Sequence, residues 1–577
     1  MPTKWYAVIL FPLESNLTLP EDSQRLSGLR NRTAALRFAA GTLIWLGIAA
    51  LIAFFATKYI PYIDDEFAGY FFIACKRSVY FGSRVMTWGN YCGDMQRDIL
   101  HLGFFFPLYS TSWYVGNILG FLYYPLFLLW PDPISNRFFH VLFLLVQALI
   151  LSRLFRIRFS FVAIGLLLFF PYFGTHIIDF GPVKIHTTSI ILTYALIVRW
   201  SRTPRLRYAL LIALLTALGI WAKFAYFWIL PPLLLLLLFE TLTQWPSLKM
   251  VPSRVLFTHV LTAVAVLGLL VSILLFSDPP HASMFSILNN LLKTPSLSWE
   301  EMIKGTWLQS RIFTVALHDP IVSLLWATNG LPADTLLHYY YPFLFVSIPL
   351  FLTVLLILYP SLWKKSLRPF MLYLAFWLTI FVTAKSSEAR LMHHAILAFP
   401  FFILSALGSI TLLREIEPGP GKRLLWIGLT IFLVCFLLIN FDAFFSLRNM
   451  NSSIRKNQIM VEKVLRDPLI VQNYIIVILD YNMYYFTALY GDPSQHLLYR
   501  RRLTKEEDIR TLKAIAATEK RPVLFVYAPQ SPSSDMALIR SSFPLRSCTA
   551  IPETSLQQIL LEDDLNPQNP CWLNKGT

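Results

Sequence analysis

The sequence predicts a polytopic α-helical membrane protein that carries a small α/β domain near its C-terminal end. Three observations point there. Of 577 residues, 56% are hydrophobic and only 14% charged. Apolar runs of membrane-crossing length recur along the chain, LLLLLL at 233–238 among them, and a soluble core of this size needs no such run. From about residue 445 the composition changes to short strand-like stretches around a charged helix. The formal charge of +16 lies in short clusters beside the apolar runs. Retention on the cytoplasmic side explains such clusters, and the absence of a basic stripe interleaved with aromatics argues against nucleic acid as a partner.

Taken in order, residues 1–37 form an N-terminal segment with Lys4, Arg25, Arg30 and Arg32 ahead of the first apolar run. No small-residue cleavage signature follows that run, so it reads as an uncleaved first span. Candidate spans are 38–57, 134–151, 159–173, 185–198, 208–221, 224–239, 255–276, 341–359, 370–383, 394–412 and 424–441. Several fall short of the ~20 residues that cross a bilayer, so their ends must extend into flanking polar residues. Alternate connections carry the basic excess: Arg153, Arg156 and Arg158; then Arg199, Arg202, Arg205 and Arg207; then Lys249 and Arg254; then Lys364, Lys365 and Arg368; then Arg414, Lys422 and Arg423. All of them share the N-terminal side only if the stretch 107–130 does not cross. Its Tyr, Ser, Thr and Asn content suits a helix lying in the interface. The expectation is about eleven spans, with the N-terminus cytoplasmic and the C-terminus outside.

The outer face then receives loops 58–133 and 277–340, short connections at 174–184 and 384–393, and a tail domain at 443–577. Cys75 and Cys92 lie in the first loop and Cys548 and Cys571 in the tail, with Cys435 inside a span. Two pairs on an oxidising side suggest two disulfides; free buried thiols are the alternative. The loop 277–340 offers Trp299, Trp307 and His338 for stacking on a ligand, or simply as an interfacial belt. In the tail, PLIVQNYIIVILD and RPVLFVYAP read as strands and TKEEDIRTLKAIAATE as the helix between them, serving either ligand recognition or a structural cap.

The densest chemistry is IDDEF, where Asp64, Asp65 and Glu66 follow the first span directly. A helix cap would account for one carboxylate, two at most. Three adjacent acids repel one another and raise at least one pKa, a cost more often met at a functional site. No phosphate-cradling glycine loop of the nucleotide-binding kinds is present.

A first span ending outside in such an acidic motif, followed by a long loop with two surface helices, resembles the GT-C glycosyltransferases. Within them it is most similar to the protein O-mannosyltransferases and the lipid A aminoarabinose transferase group. The resemblance runs over residues 38 to about 240: Asp65-Glu66 at the start of the first surface helix, FFFPLYSTSWYVGNILGFLYYPLF leading into the second, the basic turn SRLFRIRF, Asp179 in THIIDFGPVK, and Lys223 in ALGIWAKFAYFWILPP. KSSEARLMHHAILAFPFF resembles the late outer turn. One departure is DILHLGFFFP, where the aminoarabinose group carries an acidic-Lys-Pro-Pro element; Asp98 and His101 stand in that region.

The resemblance implies an inverting transfer of a sugar from a polyprenyl-phosphate donor to a hydroxyl of a lipid, glycan or protein. Asp65 would be the general base, Asp64 its alternate, and Glu66 a supporting group. Arg390, Lys223, Lys184, Lys385 and His393 would contact the donor phosphate. Each has a plainer reading, namely snorkelling to water for Lys223 and Lys385, a surface pair with Glu388 for Arg390, and interfacial packing for His393. Asp179, Asp98 and His101 would orient the acceptor or help hold a divalent metal ion, with a helix cap as the alternative for Asp179. The competing functional class is a transporter or flippase for a lipid-linked or anionic substrate. Transporters place ionisable groups near the bilayer midplane, often in repeated halves, whereas these acids cluster at the margin. A bacterial inner membrane fits the topology.

Overall fold

The structure is a computed structural model that describes residues 23–59, 80–81, 86–87, 116, 118–130, 132–178, 181–276, 300, 337–383, 396–450, 458–459, 462–463, 465–478, 497–499, 510, 513–514, 517–518, 520, 523–527, 545–547 and 557–561. The chain divides into two compact units, Met1–Ile52 and Ala53–Thr577. The first contains most of helix α1 (Ser23–Tyr59). The second contains everything from Ala53 onward.

Helices α2 (Ile118–Leu129), α3 (Pro133–Phe155), α4 (Phe159–Leu168), α5 (Phe170–Ile178), α6 (Gly181–Arg202) and α7 (Leu206–Ala222) follow. A 3₁₀ turn, Phe224–Ile229, leads into α8 (Leu230–Thr243), and the longer helices α9 (Ser253–Phe276), α10 (Leu337–Leu358), α11 (Trp363–Thr383), α12 (Phe399–Leu412) and α13 (Pro420–Met450) come after it. Over the described residues, the candidate spans coincide with helix apart from a break at Phe169. Among the described residues, six helical stretches are long and apolar enough to cross a membrane: Ala39–Tyr59, Pro133–Phe155, Phe224–Thr243, Ser253–Leu274, Pro360–Thr383 and Ile396–Glu415. The chain is a polytopic helical membrane protein.

Two local outcomes refine the expected spans. The run 185–198 gains a turn at each end as α6, the extension into polar flanks that a short run requires. The run 159–173, expected as one span, is two short helices parted at Phe169. Pro171 gives the reason: it lacks an N–H and suits the first turn of a new helix, so α5 starts afresh there. Helix α2, at 12 residues, is too short to cross. It buries Ile118, Leu119, Tyr123 and Phe127 and exposes Leu122, Leu128 and Leu129.

Burial sorts the spans by depth. Within the window Ile396–Glu415, 83% of residues are buried inside the protein, against 6% in Ser253–Leu274. Helix α12 is therefore a central column against α11, while α9 packs mainly on α7 and presents Phe257, Leu261, Val264 and Leu269 outward, where lipid is their natural solvent. Between α8 and α11 lies a buried ion pair. Arg368 donates from Nε and Nη2 to the two oxygens of Glu240, each at 2.7 Å, and the Tyr194 hydroxyl of α6 donates to Oε1 at 3.2 Å.

The strands form a seven-stranded sheet among the described residues, in the order β2-β1-β4-β3-β5-β7-β6: β1 (Tyr80–Phe81), β2 (Met86–Thr87), β3 (Ile475–Ile478), β4 (Leu497–Tyr499), β5 (Val523–Tyr527), β6 (Leu545–Ser547) and β7 (Gln557–Leu561). The first half of PLIVQNYIIVILD, expected as strand, is instead helix α14 (Pro468–Asn473). Asp467 caps it by accepting from Leu469 N at 2.9 Å, and Pro468 occupies the first helical position. β1 comes from the stretch between α1 and α2 and pairs in parallel with β4 from the tail. Strands so bonded lie on one side of a membrane, which puts the first loop and the tail together.

Candidate functional site

Helix α3 begins at Asp132, whose carboxylate accepts from Ile134 N at 2.8 Å, followed by Pro133 at the first helical position. Its opening turns carry Ser135, Asn136, Arg137 and His140, all buried. Ser135 shares a 2.5 Å hydrogen bond with the Tyr123 hydroxyl of α2, which docks that helix on this corner. Arg137, among the largest fully buried side chains, donates from Nη1 to the carbonyl of Ala56 in the last turn of α1. Ala56, eight positions ahead of Asp64, is thereby tied to α3. Asp132 also accepts from Arg466 Nη2 at 3.2 Å, an exposed link from the tail.

Two turns beyond His140, Gln147 of α3 organises a polar cluster with α5 and α6. Its Oε1 accepts from the Tyr172 hydroxyl at 2.6 Å, and its Nε2 donates to Thr187 Oγ1 at 3.0 Å and Thr188 Oγ1 at 2.8 Å. His176 Nδ1 faces the Tyr172 carbonyl at 2.7 Å and its Nε2 meets Thr187 Oγ1 at 2.8 Å. His140 Nδ1 faces the Ile177 carbonyl at 3.3 Å. Lys184, in the first turn of α6, is fully buried and close enough to act electrostatically on both His140 and His176.

Lys223 lies where α7 ends and the 3₁₀ turn begins, on extended backbone (φ −161°, ψ 137°), and is 6% exposed. Beside it, His186 Nε2 of α6 faces the Gly219 carbonyl at 3.0 Å. Two glycines permit this approach. A Cβ at Gly219 would stand 2.7 Å from the Tyr226 ring, and one at Gly116 would fall 1.9 Å from the Trp221 carbonyl oxygen. Gly116 N donates to Ala222 O at 3.0 Å, so the lead-in to α2 is anchored one residue before Lys223. Gly116→Ala is expected to lower stability by at least ~1–3 kcal/mol, the usual cost of overpacking, read as a fall in the unfolding temperature of the detergent-purified protein. An unchanged transition would mean that α2 docks elsewhere.

Of the residues proposed from sequence, Lys184 and Lys223 are brought to the same end of the helices, α6 packing directly on α7. Their burial removes the snorkelling alternative for Lys223, whose side chain ends inside protein. Asp64, Asp65, Glu66, Asp98, His101, Asp179, Lys385, Arg390 and His393 lie outside the described residues, as do Cys75, Cys92, Cys548 and Cys571. Sequence reasoning missed Arg137 and His140 because NRFFH reads as the start of an apolar span. The signal available was a charge within that span, costly unless it has a task. Among the described residues, no three His, Cys, Asp or Glu side chains gather to hold a metal ion.

No protein-family profile and no curated protein matches the chain at the level of sequence. The fold does match. ArnT from Cupriavidus metallidurans, solved bound to undecaprenyl phosphate, superposes over 92% of this chain and 100% of its own, with a TM-score of 0.50 and 10% identity. The chain has an ArnT-like fold. The resemblance to the GT-C glycosyltransferases expected from the sequence therefore holds for the architecture. At 10% identity the ArnT-like fold carries no residue roles with it; those rest on the geometry above.

Proposed function

We propose that the chain is an inverting glycosyltransferase that moves a sugar from a polyprenyl-phosphate donor to a hydroxyl of a lipid, glycan or protein on the outer face of the membrane. The observation that carries this reading is the burial of three cations, Arg137, Lys184 and Lys223, at one end of the helices of an ArnT-like fold, with Arg137 bonded to the helix that runs out into IDDEF. Positive charge gathered in a low-dielectric interior acts strongly on an anion whose charge grows during reaction. A departing phosphate is such an anion.

In this mechanism Asp65 accepts the proton of the acceptor hydroxyl as that oxygen attacks the anomeric carbon from the face opposite the phosphate. The bond from that carbon to the phosphate oxygen breaks, and polyprenyl phosphate leaves carrying the electron pair. Asp64 is the alternate base and Glu66 supports the pair. Lys184, Lys223 and Arg137 hold the leaving phosphate, joined by Arg390, Lys385 and His393; Asp179, Asp98 and His101 orient the acceptor. A divalent ion, if used, would draw on these carboxylates and add positive charge at the phosphate.

The same reading takes eleven spans in a bacterial inner membrane, residues 1–37 in the cytoplasm, 38–442 as the transmembrane domain and 443–577 outside. It is tested by incubating the purified protein with membrane extract and a panel of radiolabelled polyprenyl-phosphate sugars. Transfer of label with release of polyprenyl phosphate and inversion at the anomeric carbon is the expected result. Folded protein that turns over none of the donors would sink the proposal and favour transport.

A further inference from the structure

Helices α4, α10, α12 and α13 enclose a groove of ≈ 650 Å³ that extends along them to the ends opposite the buried cations. Apart from the hydroxyls of Ser347 and Ser409, the side chains lining it are hydrocarbon. Three of its four walls run straight out into exposed arginines. Arg158 caps α4 three residues before the lining Phe161, Arg414 follows the lining Ile410 by four, and Arg423 immediately precedes the lining Leu424. These ends are fastened together, since Arg414 Nη1 donates to the Arg156 carbonyl at 2.7 Å. Glu415, the acid closest in sequence, is already paired with Lys365. Trp363 and Trp426, 58% and 38% exposed, sit at the same helix ends, the level at which indoles mark a membrane surface.

We propose that this groove binds an acyl chain of an anionic phospholipid, whose headgroup phosphate rests on Arg158, Arg414 and Arg423. An apolar trough rimmed by cations complements an anionic lipid, and the basic clusters place it in the cytoplasmic leaflet. The donor's polyprenyl tail is a poorer occupant, because the cations proposed to hold its phosphate are at the other helix ends. The site would serve stability and membrane preference independently of any transfer reaction.

The test is thermal unfolding of the full chain in uncharged detergent, titrated with phosphatidylglycerol or with phosphatidylcholine. Phosphatidylglycerol is expected to raise the midpoint more, and Arg158→Gln, Arg414→Gln and Arg423→Gln each to weaken its apparent affinity roughly fivefold. Gly165 and Gly428 line the groove, and a Cβ at either meets nothing within 4 Å. Gly165→Phe and Gly428→Phe are therefore two independent ways to fill it without a first clash, and both are expected to abolish the effect of phosphatidylglycerol while leaving undecaprenyl phosphate binding unchanged. Equal stabilisation by the two lipids, indifference to the arginine variants, persistence in the filled grooves, or displacement of phosphatidylglycerol by undecaprenyl phosphate would each overturn the proposal.

Discussion

Asp65→Asn is expected to lower the turnover of sugar transfer by roughly 10²- to 10⁴-fold, the range a positioned general base contributes, with donor binding and folding intact. The substitution keeps shape and hydrogen-bonding capacity and removes only the ability to take a proton. A second acid adjoins it, so Asp64→Asn distinguishes base from tuner: as the neighbour's charge falls away, the Asp65 carboxylate becomes less basic and turnover drops by a smaller factor. Glu66→Gln is expected to change it least. Single-turnover rates with saturating donor separate these outcomes from changes in binding. Full activity in a folded Asp65→Asn protein would remove Asp65 from the mechanism, and a larger loss in Asp64→Asn would exchange the two roles.

Arg368→Ala should be among the most destabilising single changes outside the site, at about 3–5 kcal/mol. The magnitude follows from the asymmetry of the pair. Glu240 has no exposure and depends on two 2.7 Å bonds from Arg368, so removal of the guanidinium strands a carboxylate in the protein interior. The reverse deletion is milder. The Arg368 side chain is 32% exposed and can turn toward water when Glu240→Gln removes its partner's charge. Replacing both by leucine is expected to recover much of the loss, since a buried pair contributes little over well-packed hydrocarbon. Equilibrium unfolding in detergent measures all three, and an Arg368→Ala protein as stable as the wild type would contradict the account.

These two residues also show what the sequence discloses. Apolar length alone revealed the helices, because hydrocarbon thickness sets a minimum run that polar residues cannot supply. Arg368 counted there only as one more basic residue in a connection. Its partner Glu240 is 128 positions away, and the Arg137 contact with Ala56 spans 81; no local pattern announces either. Of the proposed site, Lys184 and Lys223 were legible because each follows a turn at a span's end. Arg137 and His140 were not, since their spacing matches an ordinary apolar face and only packing against α1 and α6 gives them meaning. The break at Pro171 was visible but outweighed by the apolar run around it.

Synthesis imposes an order on the sheet. Tyr80 and Phe81 pair with Leu498 and Tyr499. At translation rates of roughly 5–20 residues per second, β1 waits ~20–80 s for its partner to be made. Closing so long a loop adds little entropy beyond a shorter one, but parallel pairing at this separation is slow, and meanwhile a strand edge stands open to other chains. The strand that pairs with β1 emerges only after α1 to α13, so a ribosome halted before residue 497 leaves a protein whose membrane helices are made and whose β1 still lacks β4.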